Sequence, residues 1–240
     1  MLGFTFGGKD SFRDFGIYVE KRPNIPSPEH RVTYIDVPGM DSRLRRDEGT
    51  YGDITLSVEC SLLGDPVSKI SAVKGWLLGA GEADLIFSHI PNRKYLAQVV
   101  NSIDFEIVLK ITSHFIIVFS CQPFQYATEN TPVTVSESAT LTNPGTVKSF
   151  PIIKATGSGS GSLTINGNNV SFSDIDGTVT LDSAIQETYQ DAGAELISKN
   201  STMAGDYPAL LPGENIISFS GGITSLEITP VSYTHLRAHE

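Results

Sequence analysis

Apolar residues fall at every second position in short runs along most of this chain, and only one stretch carries the three-to-four-residue spacing of a helix. Period-two alternation turns one face of an extended segment toward a core and the other toward water, so the pattern commits the chain to sheets. In the first half the runs are Phe4 and Phe6, Ile17 and Val19, and Val32 and Tyr34, with Val37 one step out of phase. Residues 83–89, 95–111 with an internal break, and 114–121 read as further strands. The helical exception opens at Asp65-Pro66, where an aspartate can accept from the first free amides and proline is tolerated at the first helical position. Val67, Ile70, Val73 and Leu77 continue at helical spacing, and Gly79 or Gly81 can stop the helix. Trp76, the only tryptophan, falls near its end and is expected to pack on the sheet.

Residues 31–37 and 51–62 flank a charged segment, 38–49, bounded by glycines. The pattern predicts a long hairpin with an exposed tip. The composition changes after Tyr126: residues 127–132 read as a linker, and the chain beyond it is poor in Lys and Arg and rich in Ser, Thr, Gly and Asn. Turn signals there recur about every 8–12 residues, the habit of an all-β sandwich. Strands are expected at 133–141, 151–156, 162–165, 169–173, 178–182, 187–189, 215–220 and 224–228. Asn166-Gly167 and Asp176-Gly177 read as tight hairpin turns, and the Gly/Ser run at 157–162 as a flexible loop between two strands. The fold class is therefore mainly β. Residues 1–126 form a barrel-like or sandwich-like domain with one helix and a long hairpin, and residues 133–230 form a β-sandwich.

At 240 residues, with 40% hydrophobic and 18% charged residues, the chain suits two globular domains. No stretch approaches the roughly 20 apolar residues of a bilayer span, so membrane insertion is not expected. The first ten residues lack a basic segment ahead of an apolar run, so they do not read as a signal peptide, and synthesis in a cytoplasm is expected. The net charge of −10 is uneven: residues 1–128 carry 13 Lys/Arg against 15 Asp/Glu, and the remainder 4 against 12. Clustered cations are what nucleic-acid binding requires, and sequence-specific nucleic-acid binding is not expected.

Residues that could carry chemistry are few. Cys60 and Cys121 sit in alternating apolar runs and read as buried thiols, while His30, His89 and His114 lack the paired spacings of structural zinc and read as lone surface or edge histidines. The glycine run has no helix after it to hold a phosphate, and Asp174-Ile175-Asp176-Gly177 lacks the later ligands of a calcium loop. No catalytic, metal or cofactor site is expected. Asp182, Asp206 and Glu214 are the only carboxylates worth naming for glycoside hydrolysis. For sugar stacking, Tyr189, Tyr207 and Phe150 are the conceivable aromatic platforms, because Phe172 and Phe219 fall in apolar strands.

The opening Phe4-Thr5-Phe6-Gly7-Gly8-Lys9-Asp10-Ser11, then Phe15-Gly16-Ile17-Tyr18-Val19, resembles the start of siphophage distal tail proteins. Val37-Pro38-Gly39-Met40-Asp41, Trp76-Leu77 and Phe119-Ser120-Cys121-Gln122-Pro123-Phe124 continue the likeness, as do Leu163-Thr164-Ile165-Asn166-Gly167 and Gly205-Asp206-Tyr207-Pro208. It spans residues 1 to about 230. What the resemblance implies is a first domain assembling into a hexameric ring and a second, galectin-like β-sandwich at its periphery. It further implies a place in the virion tail, after assembly in the host cytoplasm, with a tail-tube protein, a tail-tip protein and a receptor-binding protein as partners. The hairpin is the expected subunit contact, through Tyr34, Val37, Arg43, Arg45, Arg46, Tyr51 and Ile54. A carbohydrate-binding module of an adhesion protein is the alternative, and an enzyme the third. Residues 231–240 have no strand alternation and resemble a translated adapter scar, so they are set aside as a non-native tail.

Overall fold

The computed structural model describes residues 1–109, 112–193, 195–230 and 233–235. Backbone contacts divide the chain into two compact units, one built on Met1–Thr128 and the other on Glu129–Thr234. No helix among the described residues is long and apolar enough to cross a membrane.

The first unit runs β1 (Phe4–Phe6), β2 (Lys9–Asp10), α1 (Ser11–Phe15), β3 (Ile17–Val19), β4 (His30–Ile35), β5 (Leu44–Tyr51), β6 (Ile54–Leu63), α2 (Pro66–Gly79), β7 (Ala83–Phe87), β8 (Arg93–Val99), β9 (Glu106–Leu109), β10 (Thr112–Cys121) and β11 (Phe124–Ala127). Its main sheet has the order β2-β1-β7-β8-β10-β6-β3, with β9 beside β10 and β11 beside β8. The alternation read from the sequence becomes register. Cys60 opposes Phe115, Val58 opposes Ile117 and Leu56 opposes Phe119, all turned into one core. Both thiols lie in that core. Burial pushes the Cys121 thiol up to about 12 and Cys60 higher still, so neither is a thiolate at neutral pH.

Helix α2 starts where the sequence indicates, with Asp65 Oδ1 accepting from the Val67 amide at 3.1 Å. Its buried stripe is Val73, Trp76 and Leu77, whereas Val67, in the first turn, is 73% exposed. Trp76 stacks on Phe15 at 4.3 Å and on Phe4 at 5.8 Å between centroids, and its Nε1 donates to the Phe6 carbonyl at 2.9 Å. The indole thereby ties α2 to α1 and β1. Helix α1 is too short for periodicity to reveal. Its signal is local: Asp10 caps the amides of Phe12 and Arg13, and Gly16 ends the turn at φ +76°.

The hairpin is differently built from the sequence expectation. Its second arm is β5, Leu44–Tyr51, which pairs with β4 from Ile35↔Leu44 to His30↔Tyr51. The segment from Ile54 onward belongs instead to the main sheet. Ile54, Leu56, Val58, Cys60 and Leu62 form a continuous apolar face, and the core claims it, leaving the charged 44–51 segment to pair with β4.

The second unit runs β12 (Val133–Val135), β13 (Ala139–Asn143), β14 (Ile152–Ile165), β15 (Asn168–Asp182), β16 (Glu187–Asp191), β17 (Leu196–Ser198), a 3-10 turn (Asn200–Thr202), β18 (Met203–Ala204) and β19 (Gly213–Thr229). One antiparallel sheet orders them β12-β19-β14-β15-β16-β17, with β13 on β19 and β18 on β15. Ile153 and Ala155 at one end of β14 share a core cluster with Leu163 and Ile165 at the other, so the sheet curls over on itself. Asn166 and Gly167 form the expected turn at φ +51° and +84°, closing Ile165 on Asn168.

Two other turn expectations fail. Residues 157–162 are the middle of β14, and Asp176-Gly177 lies inside β15, with Gly157 opposite Gly177. The glycines there serve close approach instead of reversal. A Cβ on Gly157 would stand 2.0 Å from the Gly222 carbonyl oxygen of β19, and one on Gly222 would stand 1.8 Å from the Ser158 oxygen. Four expected strands thus merge into β14 and β15. The strand expected at 133–141 divides into β12 and β13. Within the terminal segment 231–240, set aside on sequence grounds, Tyr233–His235 form a strand, β20. The rest of that segment lies outside the described residues, as do Lys110 and Ile111.

Candidate functional site

Among the described residues β4 and β5 pair as a two-stranded ribbon, a sheet separate from the main one. Cross-strand partners share a face, so Val32, Tyr34, Arg45 and Asp47 stand on one side, and Thr33, Ile35, Leu44 and Arg46 on the other. Each face therefore carries an apolar pair and an arginine. Tyr34 is 56% exposed, Leu44 54% and Ile35 44%, and Met40 at the tip 57%. Polar ties stiffen the ribbon from within. Thr33 Oγ1 donates to Glu48 Oε1 at 2.6 Å, Arg43 Nε donates to Asp36 Oδ1 at 2.8 Å, and the His30 ring tilts against Tyr51 at 4.3 Å. An isolated two-stranded ribbon is marginal in water, and this one leaves apolar side chains exposed on both faces.

Of the residues expected at a subunit contact, Tyr34, Arg43 and Arg45 stand exposed on the ribbon, as does Arg46 on the opposite face. Val37 is half-buried just beyond β4. Tyr51 sits at the base, against His30 and 5.8 Å from the Phe124 ring. Ile54 does not belong with them. It is 3% exposed, paired with Cys121 in the main sheet, because β6 begins there.

The two tyrosines proposed as a sugar platform are not brought together. Tyr207 donates or accepts at Thr188 Oγ1, 3.0 Å away, and also reaches Asn200 Oδ1. Thr188 is buried on the inner face of β16, whereas Tyr189, the next residue, points to the other face. Phe150 lies 5.4 Å below the Lys148 ammonium, and Phe172 is core. Of the acids named for hydrolysis, Asp182 uses its carboxylate and Asp206 its backbone carbonyl in local hydrogen bonds. Asp182 Oδ1 accepts from the Ala184 and Ile185 amides, and Asp206 offers its carbonyl to Asn168 Nδ2. Glu214 is an exposed residue of β19 opposite Thr142. Among the described residues no group of three or more His, Cys, Asp or Glu could hold a metal.

His114 is not the lone histidine the sequence suggested. Its Nδ1 lies 2.8 Å from Ser61 Oγ and also bonds Glu20, which accepts from Ser61 as well. The residue types are those of a hydrolase triad, but the geometry is not. Ser61 and Glu20 meet the same ring nitrogen instead of opposite ones, as a triad requires, and Ser61 is fully buried. The Ser61 and His114 hydrogen bonds hold the Glu20 carboxyl below the usual carboxylate range.

The β-rich first unit and the curled antiparallel second unit together make a fold similar to that of a solved phage hub protein. One solved structure that it matches is the crystal structure of SPP1 Dit (gp 19.1), described as a paradigm of the hub adsorption apparatus in Gram-positive-infecting phages. The match covers 97% of this chain and 99% of that one, with a TM-score of 0.72 and 14% sequence identity. No protein-family model and no curated protein matches the sequence. At this identity the likeness carries the fold, and function has to be argued from surfaces.

Proposed function

We propose that this protein is a structural component of a long non-contractile phage tail, forming a hexameric hub that joins the tail tube to the tip or baseplate and its receptor-binding components. The observation that carries this reading is the ribbon of β4 and β5, on whose two faces Tyr34, Ile35 and Leu44 stand exposed among the described residues. The fold shared with SPP1 Dit supports it, and the role needs no catalytic residue. A ring repeats one heterologous contact around an axis, so each subunit must present a donor patch and a different acceptor patch. The ribbon is the donor. In this reading the second unit is a galectin-like outer domain, kept solvated by its acidic surplus, and the protein is carried in the virion tail. Light scattering and negative-stain microscopy of the full chain, alone at high concentration and with the tail-tube protein of the same phage, are expected to show a closed ring. A chain that stays monomeric under both conditions sinks the proposal.

The carbohydrate-binding alternative has its own measurement. With Tyr207 engaged by Thr188 and Tyr189 on the other face, titration calorimetry with galactosides, glucosides and cell-wall fragments is expected to give no saturable binding tighter than about 100 µM, roughly −5.5 kcal/mol. A tighter constant would reinstate that reading.

A further inference from the structure

The main sheet of the first unit carries a hollow on the solvent face of β6 and β10. Glu59 of β6 opposes Ile116 of β10, Ser61 opposes His114, and His114 in turn opposes Glu106 of β9, so these side chains share the face turned away from the core. A hollow of about 460 Å³ lies there, lined among others by Glu20, Glu59, Asp104, Glu106, His114 and Ile116. Its floor is partly apolar, since Ile116 is 50% exposed. Its charge is negative: Glu59 is offset by Lys21 at 2.7 Å and Glu20 is engaged by His114, but Asp104 and Glu106 have no cation partner among the described residues. A second hollow of about 500 Å³, bounded by Thr55 and Ser57, extends along the same face of β6. At about 3.3 Å per residue, ten-residue β6 offers about 33 Å and eight-residue β5 needs about 26 Å.

The ribbon complements this surface. Ile35 and Leu44 form an exposed apolar pair on one face, and Arg46 beside them has no acid partner among the described residues. In the single chain these side chains remain exposed, so a copy does not fill its own hollow. We infer that the solvent face of β6 and β10 in one copy seats the ribbon of a second copy, with Ile35 and Leu44 over Ile116 and Arg46 toward Asp104 and Glu106. This rests on the ring reading of the protein and supplies its acceptor patch.

Charge reversal separates the two ideas. The full-length variant Arg46→Glu has a reversed ribbon, and Asp104→Lys/Glu106→Lys has a reversed seat. All three residues are exposed, and unchanged thermal melting checks that both variants fold. Each variant alone is expected to need more than about tenfold higher concentration to assemble than the wild type, as like charges meet at every contact. An equimolar mixture is expected to recover assembly, because alternating copies then meet opposite charges on both sides. Should the seat variant melt early, Ile116→Glu replaces it. If the seat variants assemble like wild type while Arg46→Glu does not, the seat is elsewhere and the ring reading stands. If every variant assembles like wild type, this inference fails, and if the wild type itself never assembles, the ring reading fails first.

Discussion

Replacing Ile35 and Leu44 together by glutamate is expected to abolish ring assembly while leaving the monomer's melting temperature within about 2 °C of the wild type. The two residues face each other across the ribbon and are 44% and 54% exposed, so the single chain gains little from them. Surface substitutions of this kind usually fall within about 0.5 kcal/mol, which moves a domain of this size by about 2 °C. In an assembled contact the balance reverses. Burying each side chain contributes about 1.5–3 kcal/mol, and a desolvated carboxylate in its place adds a cost. Losing even about 2.8 kcal/mol per contact raises the concentration needed for assembly about a hundredfold. Light scattering reads the assembly and calorimetry the melting. A ring that persists with both glutamates removes the ribbon from the interface. A large drop in melting temperature would show instead that the ribbon supports its own monomer.

The second large effect belongs to the other unit. Gly157→Ala is expected to destabilise it by about 3 kcal/mol or more, because the added methyl group would stand 2.0 Å from the Gly222 oxygen and 2.9 Å from the Ile223 Cα. The clashing atoms are backbone, so relief requires β14 and β19 to part where both are pinned by neighbouring pairs. Gly159→Ala is the control. It has φ +74° and nothing within 4 Å of a Cβ, so it is expected to cost only the left-handed strain of about 1–2 kcal/mol. Urea unfolding followed by circular dichroism compares the two. Tryptophan fluorescence, which reports only Trp76 of the first unit, serves as the internal reference. Equal effects from the two substitutions would show that the strands do not approach closely at Gly157.

What could be read beforehand depended on range. Helix α2 was legible from Asp65-Pro66 and its apolar spacing, and the Asn166-Gly167 turn from two residues whose backbone needs are unusual. Both are decided within a turn or two of chain. The division of labour between β5 and β6 was not, since a charged stretch ending in glycine reads equally as a tip or as an exposed arm. Only competition for the core, won by the alternating face of Ile54 to Leu62, assigned Ile54 inward and Leu44 outward. The separation of Tyr189 from Tyr207 was illegible for a related reason: composition gives the aromatic inventory, but the face each ring occupies depends on strand phase and on Thr188.

The sequence by itself determined that this protein is built of antiparallel strands with one substantial helix, since period-two burial and local capping act between near neighbours. Tertiary structure alone decided that the glycine run at 157–162 lies inside a strand at a close approach, that His114 joins Ser61 and Glu20, and that β4 and β5 pair apart from the main sheet, whose solvent face carries an acidic hollow. Glycine permits a loop and a close approach equally, and a charged residue is content beside water or beside an opposite charge. Such residues take their meaning from segments far along the chain, which only the folded sheet brings to their side.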